Sequence, residues 1–70
     1  MLAIERQEQI VSQIRRDGAV RIHELTKQFG VSVETIRRDL LELERQDCLH
    51  RVHGGAVGIA VAKQYHRLEE

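Results

Sequence analysis

The chain has a single cysteine, two aromatic residues, no long apolar run and no excess charge of either sign. With Cys48 alone, no disulfide can form within the chain to brace a small core. No stretch approaches the roughly 20 apolar residues that a membrane-spanning helix requires. The start, Met1-Leu2-Ala3-Ile4-Glu5-Arg6, lacks the basic head and apolar centre of a secretion signal, so the expected location is the cytoplasm. Phe29 and Tyr65 are the only aromatics, which leaves Ile, Leu and Val to build the core. Seventy residues of this kind make one small domain, able to carry a binding surface but too small to enclose a substrate cavity of about 300 Å³. Eleven Lys and Arg are balanced by eleven Asp and Glu. Attraction to a polyanion then depends on distribution, with Arg37, Arg38 and Arg51 expected on one side and Glu5, Glu8, Glu42 and Glu44 elsewhere.

What the chain does have is a sequence of short periodic segments with clear stops. From Leu2 to Arg16, Ile4, Ile10, Val11 and Ile14 fall on one side of a helical wheel, and Asp17-Gly18 ends that first helix. Ala19-Val20-Arg21 is too short for a free strand but suits one edge of a small sheet. Ile22, Leu25 and Phe29 mark a second helix that stops at Gly30. Only Gly30-Val31-Ser32 precedes the next helix, and so short a connection makes the pair cross steeply, as in a helix-turn-helix. Ser32 is a favourable N-cap, and Glu34 suits the positive end of the third helix, predicted at about 33–46 with Ile36, Leu40 and Leu43 buried. Leu41 is left facing outward. The period then changes to alternation over 49–57, with a turn at His53-Gly54-Gly55, which predicts a β-hairpin able to pair with the strand near Val20. The expected fold is α+β, mostly α: a winged helix-turn-helix of three helices and a small antiparallel hairpin wing at 1–58, with a linker at 59–70.

A helix presented by a tight turn fits the major groove of double-stranded DNA, and its N-terminal residues reach deepest. Arg38, on the outward face, is the first candidate for base readout, because its fork of donors matches guanine O6 and N7. Thr35 can hydrogen-bond a base or a phosphate. Glu34 can accept from cytosine N4, although helix-dipole stabilisation or a salt bridge to Arg38 is the plainer role. Candidates for the DNA backbone are Ser32, Arg37 and Arg21, together with Arg51, His53, Gly54 and Gly55 of the wing, whose bare glycine backbone can approach closely. Cys48, His50, His53 and His66 are zinc-ligand types, but the run lacks paired C-x-x-C spacing and strand alternation separates its members, so no metal is expected. No cofactor is expected either. Nor is an enzyme, because Cys48 and a histidine have neither an evident pocket nor an orienting carboxylate. The competing reading is a winged-helix module that binds protein through the Leu41 side.

Thr35-Ile36-Arg37-Arg38-Asp39-Leu40, followed by Arg51-Val52-His53-Gly54-Gly55-Ala56, resembles the DNA-binding domain of DeoR family regulators from about Glu5 to Val57. The resemblance implies a bacterial regulator, typically a repressor of sugar or sugar-phosphate catabolism. A larger C-terminal domain in such proteins binds a phosphorylated sugar effector and forms a homo-oligomer. Tyr65-His66-Arg67-Leu68-Glu69-Glu70 looks like the segment that joins the two parts, so the chain reads as an excised N-terminal fragment that binds an operator without sensing sugar. The family pattern usually has Gly where Asp47 stands and a capping Ser or Thr where Arg21 stands. Asp39 follows the pattern, and its flank position implies an orienting salt bridge or hydrogen bond rather than a DNA contact.

Overall fold

The computed structural model describes residues 1–62. Helices α1 (Ala3–Asp17), α2 (Ile22–Phe29) and α3 (Val33–Arg45) are joined to strands β1 (Ala19–Arg21), β2 (His50–Val52) and β3 (Gly55–Val57). The strands form one antiparallel sheet in the order β1-β3-β2, so the last strand made is the central one. This is a winged helix-turn-helix: the fold class and the pairing of the hairpin with the strand at Val20 are as expected. No helix among the described residues is long and apolar enough to cross a membrane.

Ile10, Ile14, Val20, Leu25, Ile36, Leu40, Leu43, Leu49 and Ala56 form a single buried cluster with residues from all three helices. Ile4 is not part of it. It is 58% exposed and borders an open groove with Val11, Leu43 and Cys48 instead of filling it. At the other end of the described chain, 59–62 is helical, Ala62 is buried and its N–H donates to Gly58 O at 3.0 Å. The segment expected to be linker thus begins as structure packed on the domain, and its remainder, including Tyr65 and His66, lies outside the described residues.

One polar cluster interrupts the apolar interior. Asp39 of α3 is 3% exposed, and its carboxylate receives Nε and, at 3.0 Å, Nη2 of Arg6. Gln7 Nε2 donates to the same carboxylate at 3.0 Å. The orienting role expected of Asp39 is thereby accounted for, with both partners on α1. The hydrogen bond to Asp39 raises the pKa of Arg6, against the opposing effect of burial.

The two wing glycines do different work: Gly54 serves the turn as expected and Gly55 does not. Only Gly54 has a positive backbone angle, φ 78°, and the turn is His53-Gly54. Gly55 lies in β3, buried between Arg21 and Val52, where a Cβ would stand 2.1 Å from Val20 O. It is glycine because β1 passes too close for any side chain. Arg21 precedes α2 without a side-chain cap. The Ile22 N–H instead donates to Gly54 O at 2.9 Å, so the wing turn serves one of the unsatisfied donors at the start of α2. At the end of α3, Cys48 N–H donates to Leu43 O at 2.9 Å and Asp47 N–H to Glu44 O at 3.0 Å, a Schellman motif. Asp47 occupies its left-handed position at φ 59°.

Two stability changes follow. Asp39→Asn should lose about 3 kcal/mol in urea unfolding, because it leaves the Arg6 charge, 11% exposed at the side chain, without its counter-charge. An unchanged midpoint would show that the pair contributes nothing. Asp47→Gly should gain about 0.5–1 kcal/mol by removing a side chain from the left-handed conformation, and a loss would mean that Asp47 makes a compensating contact.

Candidate nucleic-acid interface

The surface is organised by α3. Ser32 caps it, its Oγ accepting the Thr35 N–H at 3.2 Å and lying 3.0 Å from Thr35 Oγ1. Burial of Ile36, Asp39, Leu40 and Leu43 fixes the rotation of the helix about its axis. Glu34, Arg38, Leu41 and Arg45 then face away from the core, and all four are exposed. Glu34 is not paired with Arg38: no ion pair among the described residues joins them. The salt bridge considered for them is absent, which leaves Glu34 its place in the first turn of the helix.

Arg37 lies on the flank toward the wing. With Ile22, Leu40, Arg51, Val52, His53, Gly54 and Gly55 it lines a cleft of about 290 Å³ between α3 and the hairpin. Three sequence-predicted backbone candidates from two segments, Arg37 of α3 and Arg51 and His53 of the wing, are therefore brought to one concavity together with Gly54. Arg21 is exposed immediately before α2, and Ser32 and Thr35 stand at the start of α3. Gly55 lines the cleft but is buried against β1.

The separation of charges expected from sequence fails at one point. Glu44 is not remote from the arginines: its Oε2 accepts the Arg51 backbone N–H at 2.8 Å and its Oε1 accepts Arg51 Nε at 3.0 Å. His50 Nδ1 lies 3.8 Å from the same carboxylate. Seven residues separate Arg37 from Glu44, which puts both on one helix flank. That spacing was the available signal. The partner on the hairpin was not visible, because the hairpin's position on α3 depends on the core.

Among the described residues, no group of three His, Cys, Asp or Glu side chains is placed to hold a metal ion. Of the residues weighed for zinc, His66 lies outside the described chain.

Comparison with known proteins gives the arrangement a context. The DeoR-like helix-turn-helix domain family matches residues 6–61. The chain is 49% identical over 59 residues to YulB, an uncharacterized HTH-type transcriptional regulator of Bacillus subtilis, covering 84% of this chain and 23% of that protein. It is 45% identical over 53 residues to a putative aga operon transcriptional repressor of Escherichia coli O157:H7, covering 76% and 20%. It is 46% identical over 52 residues to an L-fucose operon activator of Haemophilus influenzae, covering 74% and 21%. The chain thus spans about a fifth of the length of these curated relatives. No solved structure matches it.

The Arg51 contacts give the interface a pH dependence. The backbone N–H of Arg51, then its side chain, holds the Glu44 carboxyl below its ordinary value of 4.5. A depressed folded pKa contributes stability that is present above 4.5 and lost as pH falls through the folded value. Acid unfolding followed by circular dichroism should therefore be less steep below pH 4.5 in Glu44→Gln than in the parent chain. Identical profiles would show that the contact adds nothing in solution.

Proposed function

The chain belongs to the DeoR-like helix-turn-helix domain family, the DNA-binding domain of transcriptional regulators, and we propose that it binds a double-stranded operator sequence-specifically. In this reading α3 enters the major groove and the wing lies on the DNA backbone or minor groove. The observation that carries it is the continuous exposed surface formed by the outward face of α3 and the cleft shared by Arg37, Arg51 and His53. A non-enzymatic role agrees with the family.

Within that surface, Arg38 reads a base, and Thr35 and Glu34 stand beside it at the groove. Arg37, Arg51 and His53 neutralise phosphates around the cleft, Gly54 offers backbone there, and Ser32 and Arg21 contact the phosphate chain from the helix starts.

The regulator as a whole controls sugar or sugar-phosphate catabolism in a bacterial cytoplasm, chiefly as a repressor. The name of one relative, a putative aga operon repressor, supports repression, and that of another, an L-fucose operon activator, supports control of sugar genes. In the full-length protein a further domain binds a phosphorylated sugar and joins copies into a homo-oligomer.

Selection of bound duplexes from a random pool at two salt concentrations tests the reading. A short motif should be enriched at low salt and lost at high salt, since affinity falls with a log–log slope of about 0.9 per neutralised phosphate. No binding at either salt would favour a protein contact through the Leu41 side. On the enriched duplex, Arg38→Ala should cost about 1–3 kcal/mol and relax the preference at one base pair. Equal losses on all sequences would remove Arg38 from base readout. Arg37→Ala should weaken all duplexes alike and lower the salt slope by about one unit.

A further inference from the structure

We propose that Glu44 is a positioning residue for DNA binding, holding the outer edge of β2 and aiming the Arg51 guanidinium at the DNA backbone. The proposal rests on the DNA-binding reading above. Among the described residues β2 pairs with β3 alone, so no described strand lies beside its other edge. On that edge the Glu44 carboxylate takes the Arg51 N–H with one oxygen and Arg51 Nε with the other. One side chain thereby fixes both the backbone and the guanidinium of a single wing residue. It also ties the wing to the helix that carries Arg37 and Arg38, so the angle between the two DNA-facing elements is set before DNA arrives.

Two opposing effects follow from placing a carboxylate there. An untethered arginine on a strand edge samples many rotamers and must lose that freedom when it meets a phosphate, whereas a held one has already lost it. A guanidinium has five N–H donors, and Glu44 engages only Nε, so its Nη edge remains able to face a phosphate at the same time. Against this, a negative charge close to the DNA backbone repels it, more strongly at low salt. If repulsion dominates, removing Glu44 strengthens binding. If positioning dominates, removing it weakens binding, and only while Arg51 is present.

The test is a double-mutant cycle in the full chain, using the duplex enriched by selection and fluorescence anisotropy at fixed salt. Glu44→Ala should weaken binding about three- to tenfold in the parent background and cause no weakening in Arg51→Ala. Amide hydrogen exchange without DNA gives a second readout. Exchange at the Arg51 N–H should accelerate about tenfold in Glu44→Ala and stay slow in Glu44→Gln, which keeps an acceptor for the backbone while losing the one for the guanidinium. Glu44→Gln should still weaken binding, and circular dichroism checks that each variant is folded. Tighter binding by Glu44→Ala, or the same loss with and without Arg51, would overturn the proposal. Unchanged exchange at Arg51 would overturn the tether itself. A parent chain that binds no duplex would instead overturn the DNA reading, and this proposal with it.

Discussion

The orientation of the domain depends on the ion pair between Arg6 and Asp39. It is a bond between the first helix and the third, 33 residues apart, inside an otherwise aliphatic core. A buried pair of this kind adds little net stability, because desolvation offsets most of the attraction, but it tolerates few geometries. Apolar contacts among Ile10, Ile36, Leu40 and Leu43 would accept small rotations of α3. A carboxylate that must meet Arg6 and Gln7 together would not. Asp39 directly follows Arg37 and Arg38, so fixing its direction inward fixes theirs outward.

The wing depends on contacts of another type, mostly with backbone. Its turn gives a carbonyl to Ile22, its inner strand admits β1 only because Gly55 has no side chain, and its outer strand is held by Glu44. Each contact reaches a different segment: the start of α2, β1 and the C-terminal half of α3. Small as it is, the hairpin is joined to most of the fold, and a substitution in it can alter the helix pair without touching it.

Local features were legible in the sequence. The stops at Gly18 and Gly30, the Ser32 cap, the stripe of Ile36, Leu40 and Leu43, and the change of period after Asp47 each depend on residues within one or two turns of one another. They yielded the element order and the exposed face of α3. What was not legible depends on residues far apart in the chain. Arg6 as the partner of Asp39 and Arg51 as the partner of Glu44 require the helix packing and the hairpin position to be known. Locally Gly54-Gly55 suits a turn, whereas the neighbour of Gly55 across the sheet, 35 residues earlier at Val20, decides its role. Ile4 satisfied the helical pattern but lies at an open groove, and Ala62 is buried although its segment shows little pattern.

The strand order also sets a sequence of events during synthesis. All three helices, and the residues of the Arg6–Asp39 pair, have left the ribosome by Arg45, whereas β1 has no strand to pair with until Gly55–Val57 emerges. The helical part forms mostly local contacts, but the sheet joins segments more than 30 residues apart, and non-local pairing is the slower step. A nascent chain can therefore display the outward face of α3 before it has a wing, with Arg21 and the first turn of α2 still unsecured. The surface is complete only once β3 is available to pair with both β2 and β1.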